Sequence, residues 1–368
     1  MIIKVWNYLN ELNNEKVEIS KSIDKVLNSG SLILGSSVRN FEAEFAKYCD
    51  SKYGVGVNSG TDALFLGLKA LGIGKGDEVI TVPNTAVPTV SAIVSAGAKP
   101  VFIDVDLNTY LMDTNKLEGL ITKRTKCIIP VHLYGQCVDM SSILKIAKKH
   151  KLKVLEDCAQ AHGALFKGKK AGSMSDVSAF SFYPTKILGG YGDGGMVITN
   201  KKRIEKKLRR LRFYGMDDKY YSEEHGYNSR LDELHAEILL QKLRHLDKYI
   251  TRRQYLAEKY DLMLKDTDLI IPEVMDGNKH AYYLYVVRHT KRNSIIKELK
   301  KKNIIVNVSY PYPIHTMRGY KFLGYKKGDF PITEKLSKEI FSLPLYPSLK
   351  DKELKTVVKE LIGILKKV

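Results

Sequence analysis

A chain of 368 residues with 44% hydrophobic content is long enough to bury a core and to divide into two domains, which excludes a disordered or fibrous protein. Sixty Lys and Arg against 41 Asp and Glu leave a formal charge of +19, a surface that attracts phosphorylated ligands of many kinds without pointing to nucleic acid. The four cysteines, Cys49, Cys127, Cys137 and Cys158, form no CxxC pair and stand at no metal-ligand spacing with histidine, so they read as reduced thiols of a cytoplasmic protein with no metal centre.

The opening MIIKVWNYLNELNNEKVE lacks the basic-then-apolar pattern of a secretion signal. The longest weakly polar stretch, 85–98, is too short to span a bilayer, and no membrane segment is expected. From Tyr53 to about Asn200, strands predicted at 53–57, 78–82, 99–105, 126–133 and 151–157 alternate with helices at 61–71, 86–96, 115–121 and 141–150. That rhythm is the signature of βαβ units, hence an α/β fold with a mainly parallel central sheet flanked by helices. Two further strands follow at 177–184 and 194–200. The basic runs at 201–212 and 297–302 read as solvated helix faces. Apolar residues at helical period predict helices at 232–246 and 252–264, bridging two domains. Residues 1–249 are therefore assigned to a large domain and 250–368 to a smaller C-terminal α+β domain, with a strand at 281–288 and helices at 294–302 and 351–366. The tract SYPYPIHTMRGYKFLGYKKGDFP between them has no periodicity and reads as a loop, and ordered loops of this length are often functional.

In open α/β sheets ligands settle beyond the carboxyl ends of the parallel strands, so the residues just after each strand carry the candidate chemistry. After YGVGV comes Asn58-Ser59-Gly60-Thr61-Asp62, a small-residue turn entering a helix. Its free amides and helix dipole make it either an anion site or an ordinary N-cap. After KLKVLED, the strand-end carboxylate Asp157 is either the partner of a buried cation or a cap. After VSAFSF, Lys186 stands alone in the uncharged run Tyr183 to Gly190. It is either a surface loop lysine or one in low-dielectric surroundings, where a depressed pKa suits Schiff-base chemistry. Two motif matches are accidental. Gly163 to Lys169 spaces like a P-loop, but Lys170 occupies the Ser or Thr position, and Gly72, Gly74 and Gly76 follow a helix where a dinucleotide fingerprint must follow a strand.

NSGTDAL, EDCAQAHGA, SFYPTK and GDGGMV, in that order and over nearly the whole chain, resemble the DegT/DnrJ/EryC1/StrS family of sugar aminotransferases. The resemblance implies a fold type I transferase dependent on pyridoxal 5'-phosphate. Lys186 would hold the cofactor as a Schiff base and later move a proton, Asp157 would pair with the pyridinium nitrogen, and Gln160 would bond the ring hydroxyl. Gly60, Thr61 and Ser181 would cradle the phosphate. Asn228 of GYNSRLD would reach the same phosphate from a neighbouring subunit, which implies a homodimer with shared active sites. Tyr183, Tyr310 and His315 are the implied substrate contacts. Many relatives place an aromatic ring after the PNT of the second strand-end loop, whereas this chain reads PNTAVPT, so stacking on the cofactor must be aliphatic or come from elsewhere. That wording is similar to the branch that aminates carbon 3 of dTDP-linked 3-keto-6-deoxyhexoses, with an amino-acid donor that is glutamate by family habit. The alternatives are an aminotransferase for a dTDP- or UDP-linked 4-keto sugar, a sugar dehydratase in which histidine replaces the lysine, and a regulator without turnover. Lys186 argues against the second. The third predicts a missing catalytic residue or an added DNA-binding domain.

Overall fold

Two helices precede the first strand: α1 (Tyr8–Ser29), which opens on the Asn7 side chain and ends at Gly30, and α2 (Ser36–Tyr48). The computed structural model describes residues 2–217 and 220–368. Alternation then follows through β1 (Tyr53–Val57), α3 (Gly60–Ala70), β2 (Glu78–Thr81), α4 (Val87–Ser95), β3 (Lys99–Phe102), β4 (Thr125–Ile128), α5 (Met140–His150) and β5 (Lys153–Asp157). A hairpin of β6 (Leu165–Phe166) and β7 (Lys169–Lys170) leads into β8 (Val177–Ser181) and β9 (Gly195–Thr199). Next come α6 (Lys202–Leu211), α7 (Glu233–Leu243), α8 (Leu246–Leu264), β10 (Asn278–Lys279) and β11 (Tyr285–Arg288). The chain closes with α9 (Arg292–Lys301), α10 (Pro331–Glu339), β12 (Ile340–Leu343) and α11 (Asp351–Leu365).

The main sheet has the order β1-β9-β8-β5-β4-β2-β3. Pairing is parallel from β8 through to β3, while β9 runs antiparallel to both β8 and β1. The C-terminal ends of β1, β2, β5 and β8 therefore meet the start of β9 along one edge. Helices cover both faces, which is why the strands read as continuous apolar runs rather than alternating ones. On one face Phe41, Phe45, Phe180 and Leu239 belong to one buried cluster; on the other, Leu64, Leu68, Ile93 and Leu208 belong to a second. Phe45 is fully buried and meets Phe180 and Phe182 edge-on, with ring centroids at 4.9 and 5.2 Å. Truncating a phenylalanine so enclosed costs about 3–5 kcal/mol.

The structure alters some expectations and adds detail to others. The helix expected at 115–121 is a pair of 3-10 turns, Thr114–Lys116 and Glu118–Leu120, since the Asp113 side chain caps a turn at Asn115 and the run is too short to propagate. The domain boundary expected at 249 falls inside α8, whose sequence holds no breaker there. A third apolar cluster, built from α8, β11, α9, β12 and α11, also takes in Ile3, which bridges to Ile304. The loop at 309–331 holds two 3-10 turns and delivers Pro331 into the first turn of α10. The P-loop-like run is the β6–β7 hairpin, with φ +71° at Gly163 and +77° at Gly168. The basic run at 201–212 forms α6, but it is not merely solvated: Arg212 is 5% exposed and pairs with buried Glu42.

Candidate active site

At the shared strand edge lies a cavity of about 300 Å³, the lower end of the range for small-molecule sites. Gly60, Thr61, Asp157, Gln160, Ser181 and Lys186 all line it. They arrive from three strand ends: Gly60 and Thr61 follow β1, Asp157 and Gln160 lie at and after the end of β5, and Ser181 and Lys186 at and after the end of β8. The turn after β1 opens α3, with the Ser59 side chain accepting the Asp62 N–H at 3.1 Å. The Ala63 N–H goes to the Ser59 carbonyl, so the Gly60 and Thr61 amides are left with no partner among the described residues. Two unpaired amides at the mouth of an 11-residue helix favour an anion. A Cβ on Gly60 would come within 2.5 Å of the Ser181 Cβ, and one on Gly195 within 2.2 Å of the Ser59 carbonyl oxygen. Only glycine lets the turn pack this closely on β8 and β9, and that closeness brings the Ser181 hydroxyl alongside the free amides.

Asp157 ends β5 and is 5% exposed. Its Oδ2 accepts the Thr89 hydroxyl at 2.8 Å and its Oδ1 the Ala159 N–H at 3.2 Å. Burial raises its pKa, and Thr89, the Ala159 amide and the charge of Lys186 pull it back without offsetting the burial. Such a carboxylate is short of a cation. A protonated ring nitrogen placed in the cavity would supply one, so the residues present fit a pyridoxal-type cofactor with its phosphate at the opposite turn. The strand end is set from behind. The Asp157 N–H donates to the Pro130 carbonyl at 2.9 Å and the His132 N–H to the Asp157 carbonyl at 3.0 Å. His132, Glu156 and Cys158 are the one metal-type cluster among the described residues. It is a satisfied hydrogen-bond hub: the Val138 N–H donates to His132 Nδ1 at 3.1 Å, and Glu156 accepts from Gly172, Met174 and Ser178 as well as bonding His132 at 2.9 Å.

Lys186 follows β8 in a turn closed by its N–H on the Tyr183 carbonyl, and its Nζ lies 4.7 Å from the centroid of the Tyr283 ring. Gln160 accepts the Tyr134 N–H at 2.8 Å and donates to the Tyr310 hydroxyl at 2.5 Å. Tyr134 and Tyr310 both hold positive φ, +60° and +58°, a strain tolerated where surrounding contacts fix a site. In place of an aromatic ring, Ala86 and Pro88 with Val131 supply the apolar wall.

Tyr183 lines the cavity and is 52% exposed. Three of the expected residues do not line it, and of these Tyr310 reaches it only through its bond to Gln160. His315 is buried, bonded through Nε2 to Glu334 at 3.0 Å and packed edge-on against Phe330. Asn228 is exposed and bridges to Phe213, outside the cavity wall of its own chain. Thr89 and Tyr283 escaped the reading of the sequence. The spacing of Thr85 and Thr89, one helical turn apart and bonded at 2.9 Å, is the signal that could have exposed Thr89.

A family profile described as the DegT/DnrJ/EryC1/StrS aminotransferase family matches residues 13–362. The chain is 51% identical to a dTDP-3-amino-3,4,6-trideoxy-alpha-D-glucose transaminase of Micromonospora megalomicea subsp. nigra, over 99% of this chain and 100% of the relative. It is 45% identical to a dTDP-3-amino-3,6-dideoxy-alpha-D-galactopyranose transaminase of Aneurinibacillus thermoaerophilus, over 93% and 94%. Among solved structures, DesV of S. venezuelae superposes with a TM-score of 0.98 at 37% identity, covering 100% of this chain and 99% of that one. The ntda protein of Bacillus subtilis, solved with bound cofactor PMP, gives 0.89 at 31%, covering 96% and 82%.

Proposed function

The chain belongs to the DegT/DnrJ/EryC1/StrS aminotransferase family and is a pyridoxal phosphate-dependent enzyme, and from that premise we propose that it moves an amino group, with glutamate as donor, to carbon 3 of a dTDP-linked 3-keto-6-deoxyhexose. The observation that carries the chemistry is the single cavity that collects a lysine, a buried carboxylate and an unpaired-amide turn. The observation that favours carbon 3 is that both relatives above are named for dTDP 3-amino sugars, although the names differ at carbon 4. The PNTAVPT loop and the +19 charge agree with that substrate, while charge alone would suit a UDP sugar equally.

The bound cofactor supplies an electron sink beside the carbon that gains or loses the amino group. Asp157 would hold a proton on the ring nitrogen, Gln160 would bond the ring hydroxyl, and Gly60, Thr61 and Ser181 would hold the phosphate, all from the walls of one cavity with Lys186. Lys186 Nζ anchors the resting cofactor and then carries a proton to and from the reacting carbon, work worth roughly 10²- to 10⁴-fold in rate. Tyr183, on the cavity wall, and Tyr310, bonded to Gln160, would contact the sugar; His315, turned to Glu334, supports the loop that carries Tyr310. We further propose a homodimer in which the exposed Asn228 completes the partner's phosphate site.

Incubation with glutamate and a panel of dTDP- and UDP-linked 3-keto and 4-keto sugars tests the assignment. A 3-amino dTDP sugar is the expected product. A clear kcat/KM preference for a 4-keto donor would overturn the position, and one for UDP would overturn the base, each leaving the transaminase intact.

A further inference from the structure

We propose that Ser229 is a positioning residue for the cofactor phosphate, acting through the turn after β1. This rests on the reading that Gly60, Thr61 and Ser181 hold that phosphate. Ser229 is 2% exposed, and both its hydroxyl and its amide are bonded. Its Oγ accepts the Asn58 N–H at 3.2 Å and donates to Asp62 Oδ2 at 2.7 Å. Its own N–H donates to the Arg212 carbonyl at 2.9 Å. Arg212 in turn donates to the Gly56 carbonyl at 2.8 Å and pairs with Glu42, which accepts the Gly56 N–H at 2.8 Å. A buried polar brace thus grips β1 at Gly56 and the turn at Asn58 from behind.

Two consequences follow for anion binding. First, with the Asn58 amide taken by Ser229 and the Asp62 amide by Ser59, the amides left for a ligand are those of Ser59, Gly60 and Thr61. Second, Asp62 puts a carboxylate in the first turn of α3, where it competes for the same helix terminus that would hold a phosphate. The Ser229 hydroxyl ties that carboxylate to the brace. Without it, the Asn58 amide loses its acceptor and the carboxylate is released toward the anion site. Both effects oppose a phosphate, and neither touches the ring of the cofactor.

The test compares affinities for pyridoxal phosphate and for pyridoxal, which lacks the phosphate, in full-length apoprotein of the wild type, Ser229→Ala and Ser181→Ala, by titration of protein fluorescence. Ser229→Ala should weaken pyridoxal phosphate roughly ten-fold and leave pyridoxal unchanged, so the ratio of the two constants moves. A general loss of packing would weaken both alike, and that result, or an unchanged ratio, overturns the role. If the alanine variant does not fold, Ser229→Cys, which fills the same space with a poor donor and acceptor, must move the ratio in the same direction. Ser181→Ala separates the two claims. If it lowers the ratio while Ser229→Ala does not, only the positioning role falls; if it leaves the ratio unchanged, the placement of the phosphate falls with it.

Discussion

The chemistry at the scale of single residues depends on what each charged group faces. Lys186 is half-buried, with its ammonium over an aromatic ring at the wall of the cavity that buried Asp157 also lines. Lys186→Ala should abolish the visible absorption of the lysine-linked cofactor and lower turnover roughly 10²- to 10⁴-fold, with the far-ultraviolet dichroism unchanged. Turnover at the normal rate would remove the lysine from its role. Asp157→Asn keeps the shape and the acceptor for Thr89 but cannot hold the ring nitrogen's proton. Catalysis should fall by about 3 kcal/mol of transition-state stabilisation while cofactor still binds, a contrast read from kcat and the dissociation constant together. Thr89→Val removes the one hydroxyl that bonds the Asp157 carboxylate among the described residues. It should weaken cofactor binding about five- to ten-fold, with recovery in Thr89→Ser; no change would show that the amide of Ala159 alone suffices to hold the carboxylate.

Secondary structure shows why some of this was legible and some was not. Lys186, Asp157 and the Gly60–Thr61 turn could be found because each directly follows a β-branched run, and the ends of parallel strands collect in one place whatever the loops do. Thr89 could not be placed by strand logic, because it reaches Asp157 only once α4 lies over the end of β5. Ser229 is 167 residues from the Asp62 it bonds, and no local pattern links them. The helix wrongly expected at 115–121 had apolar spacing but no length, while α10 begins at Pro331, the last residue of a tract whose Pro and Gly content reads as loop. The packing of the phosphate turn on β8 is itself testable. Gly60→Ala places a methyl within 2.5 Å of the Ser181 Cβ, so the turn must move away from the strand. Cofactor affinity should drop at least about ten-fold, by more than the melting temperature of the apoprotein would suggest, since the displaced atoms are the amides themselves. Equal affinity in the variant would mean the turn does not hold the phosphate.

For the molecule as a whole, acid stability and assembly are the properties that follow from burial. His162, enclosed by Phe45, Phe180 and Phe182, and His280, whose Nδ1 accepts the Tyr282 N–H, are both pushed down to about 3 by burial, His162 further by the charge of Lys186. Each binds fewer protons folded than unfolded between about pH 6.5 and 3, so stability is full above that window and lost as pH falls through it, by up to about 1.4 kcal/mol per pH unit per histidine. His162→Phe should flatten the acid limb of a denaturant-midpoint profile; an unchanged limb would mean the ring is charged in the fold. Assembly is the remaining property, since Asn228 stands exposed beside Ser229, whose hydroxyl accepts the Asn58 N–H of its own chain. If Asn228 serves the partner, a Lys186→Ala subunit and an Asn228→Ala subunit, each poorly active alone, complement one another. In the hybrid, one site combines both defects and the other combines a native Lys186 with a native Asn228 from across the interface. Random exchange makes half of the dimers hybrid with half of their sites intact, so the mixture should recover about a quarter of wild-type activity. Served within its own chain, Asn228 would leave every site in the mixture with a defect, and confirmed subunit exchange without recovery would place it there.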